Sequence, residues 1–354
     1  MINQFGWSDA LSQQFAPHAE LGLTPGRVVV QHRGQYDLIT PEGEAKATIS
    51  GRFAHEAGEG GYPVTGDWVA VSLDAGAATI HAILPRRTAF IRKAAGPSQT
   101  PQVVAANVDA AVLVSALTPD FNPRRLERYL AIAWQSGARP LVVLTKADLC
   151  PDVDEAVAAT QAMAVGVDVI AVSAATGEGM TDLAARLLPG ETAVLVGSSG
   201  AGKSTLVNAL AGEARMAVGE VREEDGRGRH TTSHRELVLL PGGALILDTP
   251  GMRELGLLDA DEGITATFED IEALAAQCRF HDCGHTNEPG CAVQAALETG
   301  VLDPARWRNY QKLQREAAFS DRKEDRMARL VERRKWVTIA KAQRANRKRR
   351  ERPE

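Results

Sequence analysis

Cysteine is scarce in this chain, with four residues in 354, and that excludes a disulfide-stapled scaffold. Aromatic residues make up 5%, and no series of them marks a base-stacking platform for single strands. No apolar run approaches the roughly 18 residues of a membrane span. The opening MINQFGWSDA has no basic segment followed by an apolar core, so the expectation is a cytoplasmic protein with no membrane partner. A large net charge is missing too: the formal value is -5, which argues against a generic polyanion binder.

What is present is ordinary globular usage, 44% hydrophobic and 24% charged, in a chain long enough for two or three domains. The charge is unevenly placed. Lys341, Arg344, Arg347, Lys348, Arg349, Arg350 and Arg352 face the single acid Glu351, so a basic tail follows an acidic body. Such a tail can neutralise RNA phosphates without reading sequence, or it can be merely solvated.

Residues 1–23 hold Phe5, Trp7 and Phe15 in a short helical pattern. From Gly26 to Arg87 come the runs RVVVQ, YDLIT, ATISGRF, DWVAVSL and ATIHAIL, separated by turn residues. They predict a small all-β barrel over residues 24–95, OB-like in size, with an SH3-type barrel as the alternative. The stretch from Ile91 to Asp109, with Pro97 and Pro101, reads as a linker. Beyond it AAVLVSAL, LVVLT and DVIAVSA alternate with helical patterns, the grammar of a parallel sheet covered on both faces. This α/β domain is expected over 96–258. A helical domain over 259–320 and a basic helical or disordered tail over 321–354 complete a multidomain chain.

Between the strand TAVLVG and the helix KSTLVNALAG lies GSSGAGKS, Gly197 to Ser204. It matches G-x-x-x-x-G-K-S at every fixed position and in the required strand–loop–helix context. Gly197, Gly200 and Gly202 let backbone N–H groups, with those of Ser198, Ser199 and Ala201, approach phosphates. Lys203 neutralises the outer phosphates, Ser204 offers its hydroxyl to Mg²⁺, and Thr205 follows in the helix. The base is read elsewhere. TKAD, Thr145 to Asp148 with Lys146 and Ala147 between, follows LVVL and resembles the guanine-specifying motif of GTPases. Asp148 can accept from the guanine N1–H and amine, a pattern adenine lacks, while the stem of Lys146 lies along the base. VSA, with Ser173 and Ala174, resembles their second base-contacting loop. DTPG, Asp248 to Gly251, resembles the switch that senses the terminal phosphate, with Asp248 holding Mg²⁺ through water. The polar segment before it offers Thr231 or Thr232 as a further Mg²⁺ ligand.

Order carries information here. TKAD and VSA precede the phosphate loop, whereas ordinary GTPases have the reverse, so the domain is circularly permuted, a change that compact domains with close termini tolerate. The cut falls after DTPG, which allows motion driven by the terminal phosphate to pass into the C-terminal segment. Further on, Cys278, Cys283, His285 and Cys291 form C-x4-C-x-H-x5-C among glycines and a proline. Three thiolates and an imidazole suit one structural Zn²⁺, with His281 as a spare ligand and Cys150 as a lone thiol.

A barrel, a permuted GTPase and a cysteine-rich C-terminus together resemble the RsgA (YjeQ) family of ribosome small subunit-dependent GTPases over roughly Thr24 to Arg315. The zinc motif matches that family residue by residue. The resemblance implies GTP hydrolysis stimulated by the small (30S) ribosomal subunit during its late maturation, with that subunit and its rRNA as partners; a monomer is expected. Ras-like GTPases carry a glutamine after the switch glycine; this chain has Met252 there, so slow intrinsic turnover is expected. His230 is the candidate for positioning water in its place. Two other readings compete: a P-loop ATPase or kinase, which needs neither TKAD nor DTPG, and a non-hydrolysing, GTP-sensing RNA-binding regulator.

Overall fold

The computed structural model describes residues 1–57, 61–74, 77–93, 101–212, 235–248, 260–320 and 322. His230, Thr231, Thr232, Gly251, Met252 and the basic residues from Lys341 to Arg352 lie outside them. By its contacts the chain forms two compact units. The first is Met1–Gly256 with Glu262–Glu272, and the second is Leu257–Asp261 with Ala273–Glu354.

The first unit opens with a 3-10 turn at Ile2–Phe5 and α1 (Asp9–Ala19), whose N-terminus is capped by the Ser8 side chain. Strands β1 (Thr24–Gln31), β2 (Tyr36–Thr40), β3 (Gly43–Ile49), β4 (Trp68–Asp74) and β5 (Ala77–Ile83) follow, with α2 (Gly51–Ala57) after β3. The order β1-β2-β3-β5-β4 closes because β4 also pairs with β1, and β3 with β5 is a parallel pair. This is the expected five-stranded barrel, filled by Val28, Leu38, Val69, Val71 and Ile80. Ile2, Leu11 and Phe15 cover Trp68 and Leu84, with Trp7 packed on them, so the N-terminal extension is part of the barrel's own core.

Two segments differ from their sequence patterns. ATISGRF does not continue as a strand beyond Ile49, because the Ser50 hydroxyl accepts from Phe53 N (3.2 Å) and starts α2. The expected linker is instead a two-stranded antiparallel sheet of β6 (Ala89–Lys93) and β7 (Pro101–Ala106). Pro101 sits at the first position of its strand, where a missing N–H is tolerated, and Phe90, Val104, Ala105 and Ala106 bury the pair. Proline content alone pointed the wrong way.

The α/β portion runs β8 (Ala110–Ala116), α3 (Pro123–Ser136), β9 (Arg139–Thr145), α4 (Val153–Met163), β10 (Asp168–Ala171), α5 (Met180–Ala185), β11 (Thr192–Val196), α6 (Lys203–Ala211), β12 (Arg235–Leu239) and β13 (Leu245–Asp248). Strands β10, β9, β8, β11 and β13 are parallel neighbours in that order. Their apolar runs are buried throughout the middle of the sheet, as two-sided cover demands. β12 is antiparallel to β13 and also to β1 at Val30–Gln31. Barrel and α/β sheet are thereby one eleven-stranded sheet. Helix α7 (Asp261–Thr267) is seated on α3: a Cβ at Gly263 would strike the Ala131 carbonyl oxygen, and Gly263 N donates to Gln135 Oε1 (3.2 Å).

Arg27 binds these parts together. It is 1% exposed; its guanidinium lies 4.6 Å over the Trp68 ring and donates to Phe5 O (3.1 Å), Asn107 O (3.3 Å) and Thr192 Oγ1 (2.9 Å). Burial lowers its pKa to about 10, against the opposing pull of Asp109, so it stays cationic at neutral pH. Asp109 in turn accepts from Thr192 N (2.8 Å) and Arg87 (2.9 Å). Replacing Arg27 by Ala strands buried acceptors and leaves a cavity. The expected loss is about 3–5 kcal/mol of unfolding free energy, measurable as a shifted denaturant midpoint.

The second unit contains the end of α8 (Glu269–Ala275), then α9 (Ala292–Glu298) and α10 (304–320). Between α8 and α9 lies the segment that holds the cysteines.

Candidate nucleotide site and metal centre

β11 is buried over its whole length and delivers the chain into the loop at Gly197. A Cβ there would run into the Val114 carbonyl oxygen of β8, so the loop leaves the sheet by a path that only glycine fits. Gly200 and Gly202 have φ of +74° and +86°, left-handed values that favour glycine. Helix α6 then begins at Lys203 with Gly202, which has no side chain, at its N-cap, and that leaves its first N–H groups to meet an anion. Lys203 Nζ donates to Gly197 O (2.8 Å) and Ser198 O (2.7 Å), folding its charge back onto the loop. Ser204 is half-buried beside it, Ala201 is buried, and Ser199 and Thr205 are exposed.

Thr145 ends β9, two strands away from β11, yet its hydroxyl donates to Ala201 O at 2.7 Å. TKAD is thus fastened to the phosphate loop. Lys146 takes a left-handed conformation (φ 59°, ψ 39°), and Ala147–Leu149 forms a 3-10 turn that leaves Asp148 exposed. Ala147 N donates to Val172 O (3.1 Å), which joins this turn to the next loop. There Ser173 is buried; its N–H donates to Glu178 O, and its hydroxyl accepts from Thr176 N (3.2 Å). Ala174 follows, half-buried. The backbone of Asp248 ends β13, the neighbour of β11. Residues 145–148, 173–174, 197–205 and 248 therefore gather at the C-terminal ends of adjacent parallel strands, the edge where α/β sheets bind ligands.

In the second unit the ligand atoms of Cys278, Cys283, His285 and Cys291 all lie within 4.8 Å of one another. His285 Nδ1 is 3.5 Å from Cys278 Sγ and 3.6 Å from Cys291 Sγ, and those sulfurs are 3.9 Å apart. Burial disfavours the Cys278 thiolate, but the Ala292 and Val293 N–H groups at the start of α9 hold its pKa below the ordinary thiol value. Although the His285 N–H lowers that of Cys283, burial and the two neighbouring sulfurs push it up to about 11. Three thiols so close need a cation to ionise together, and this donor set can hold one metal ion. Exposed His281 and half-buried Cys150 are not in the cluster.

Glu288 gave no signal in the sequence. Its carboxylate accepts from Gly284 N (2.9 Å), Thr286 N (2.8 Å) and Asn287 N (3.0 Å). Those backbone donors, Thr286 foremost, depress its pKa to about 2. Gln294 Nε2 donates to His285 O (2.6 Å). Both contacts fix the loop that presents His285. Glu288→Ala should weaken metal retention about 10- to 100-fold, read as faster metal loss to a chromogenic chelator with the far-ultraviolet spectrum preserved.

Strand order and site together define a circularly permuted P-loop GTPase fold with an N-terminal barrel. The family model described as RsgA GTPase matches residues 83–258. The chain is 49% identical to the small ribosomal subunit biogenesis GTPase RsgA of Opitutus terrae, over 97% of each chain. It is 48% identical to that of Streptomyces coelicolor, over 89% of this chain and 86% of the other. Among solved structures, YjeQ from Thermotoga maritima matches with a TM-score of 0.63 and 27% identity, over 82% of this chain and 97% of that one. YloQ, a circularly permuted GTPase, matches in fold with a TM-score of 0.57 and 24% identity, over 86% and 96%. The protein belongs to the RsgA family.

Proposed function

We infer that the protein hydrolyses GTP to GDP and phosphate and acts in biogenesis of the small ribosomal subunit, binding that particle and assisting its late maturation. The observation that carries this reading is the Thr145–Ala201 bond, which couples a guanine-reading motif to a phosphate loop. Relatives that align along nearly the whole chain and bear the corresponding name support the ribosomal role.

In this reading Asp148 accepts from the guanine N1–H and amine, Lys146 covers the base, and the 173–174 turn meets its carbonyl. The α6 N-terminus and loop N–H groups hold the phosphates, and Lys203 exchanges its contacts with Gly197 and Ser198 for the outer phosphates. Bound Mg²⁺ would neutralise charge developing on the transferred phosphoryl group, with Ser204, Asp248 and Thr231 or Thr232 as the residues that hold it. Gly251 contacts the terminal phosphate, and His230 positions the attacking water. Zn²⁺ is the ion that suits the three sulfurs and one imidazole, in a structural role. Barrel (24–95), GTPase domain (96–258), zinc domain (259–320) and tail (321–354) divide the work; the barrel and tail serve rRNA contact by a cytoplasmic monomer.

Single-turnover hydrolysis with and without purified small subunits, and with ATP as competitor, tests this reading. Stimulation by the subunit and indifference to ATP are expected; ATP turnover at a similar rate would defeat it. Asp148→Asn exchanges acceptors for one donor and one acceptor. GTP affinity should fall about 100-fold, while xanthosine triphosphate, whose second carbonyl replaces the amine, should bind better than GTP.

A further inference from the structure

One residue of the nucleotide site is held in the sheet from the barrel side. β11 pairs with β13 only as far as Val194 with Leu247. Asp248, the next residue and the last of β13, has one strand partner among the described residues, Glu236 of β12. Glu236 has a second partner on its other side, Val30 of β1. Arg235, the first residue of β12, pairs among the described residues with Gln31 alone. Val30, Glu236 and Asp248 are therefore consecutive rungs across three strands, about 10 Å from end to end at the usual strand spacing. Beyond them β1 is fixed in the barrel, with Val30 opposite Asp37 and Gln31 opposite Tyr36 of β2.

Strand ends open more readily than strand centres, because fewer neighbours hold them. Without β1, the start of β12 and the end of β13 would be the loose end of a two-stranded ribbon, an arrangement marginal in water. With β1 they continue into a closed ring of strands with its own core. The place of Asp248 thus depends on a strand that belongs to the barrel.

We propose that Val30 and Gln31 are a positioning element for the nucleotide site: through the first two residues of β12 the barrel sets the place of Asp248, and with it the hold on Mg²⁺ when a triphosphate is bound. The inference rests on the functional reading above, in which Asp248 holds Mg²⁺ and the barrel meets the small subunit. The rungs give that contact a route of three strands to the Mg²⁺ residue. Thr231 and Thr232 precede Arg235 by four and three positions in the sequence, so the same rungs hold the strand that follows them.

The test titrates Mg²⁺ into full-length protein with a fluorescent, non-hydrolysable GTP analogue, and into GTP hydrolysis with purified small subunits. Val30→Gly weakens the strand end, so the Mg²⁺ midpoint should rise about two- to fivefold in both titrations, with GDP affinity in the absence of Mg²⁺ unchanged. Val30→Ile keeps the branched side chain and should leave the midpoint in place. Val30→Ala should shift it in the same direction by a smaller factor, and it carries the test should Val30→Gly not fold. Leu38→Ala, in the barrel core away from the rungs, separates positioning from stability: it should lower the denaturant midpoint without moving the Mg²⁺ midpoint. An unmoved Mg²⁺ midpoint in the folded Val30→Gly or Val30→Ala protein would overturn the proposal, and so would an equal shift in Leu38→Ala. If subunits do not stimulate the unaltered protein, the functional reading fails while the titration with the analogue still decides the role of the rungs.

Discussion

A full positive charge without water around it is expensive, and Arg27 is tolerable only because four separate pieces of chain meet at it. Phe5 brings the N-terminal extension, Trp68 the barrel, Asn107 the segment after β7, and Thr192 the strand that carries the phosphate loop. Other contacts also draw some of these pieces together, Trp7 to Trp68 and Asp109 to Thr192, and Arg27 joins all four when they approach. Once they do, β1 is fixed against both its barrel partners and β12, and β11 is fixed at the end opposite its loop. Even so, Arg27 Nε finds no hydrogen-bond partner among the described residues. The site tolerates that deficit because the guanidinium's other nitrogens are bonded and its face lies on an indole.

The permuted order becomes simple in this light. A compact α/β domain can be opened elsewhere provided that the new joint is held. Here the joint is the turn before β11, where Leu188 N and Arg139 both reach Glu191 and where Asp109 and Arg27 secure Thr192. The barrel is therefore no loose appendage. It shares the strand β1 with the nucleotide-binding sheet and contributes the cation that anchors the strand leading to the phosphates.

Much of the site was legible in the sequence, because phosphates, guanine and metal each demand fixed residue types at short spacing. The loop from Gly197 to Ser204, TKAD and the cysteine–histidine set are contiguous enough to be read directly. What escaped reading is nonlocal. The Thr145–Ala201 bond spans 56 positions and the Arg27–Thr192 bond 165, and no local pattern encodes either. Pro97 and Pro101 signalled a linker because breakers act locally, whereas the β6–β7 pair owes its existence to Phe90 and Val104 finding burial at a distance. Glu288 looks like any loop carboxylate until its three backbone donors converge.

The shared strand has one more consequence. An open parallel sheet ends in two rows of unpaired N–H and C=O groups that invite another chain to add itself. In the eleven-stranded sheet one of those rows, along β12, is met at its first two residues, Arg235 and Glu236, by β1, and β1 then leads into a ring of strands that closes on itself. The remaining border of the α/β part is β10, which is four residues long. Fusing the barrel to the sheet thus also protects the protein against association through its own strands.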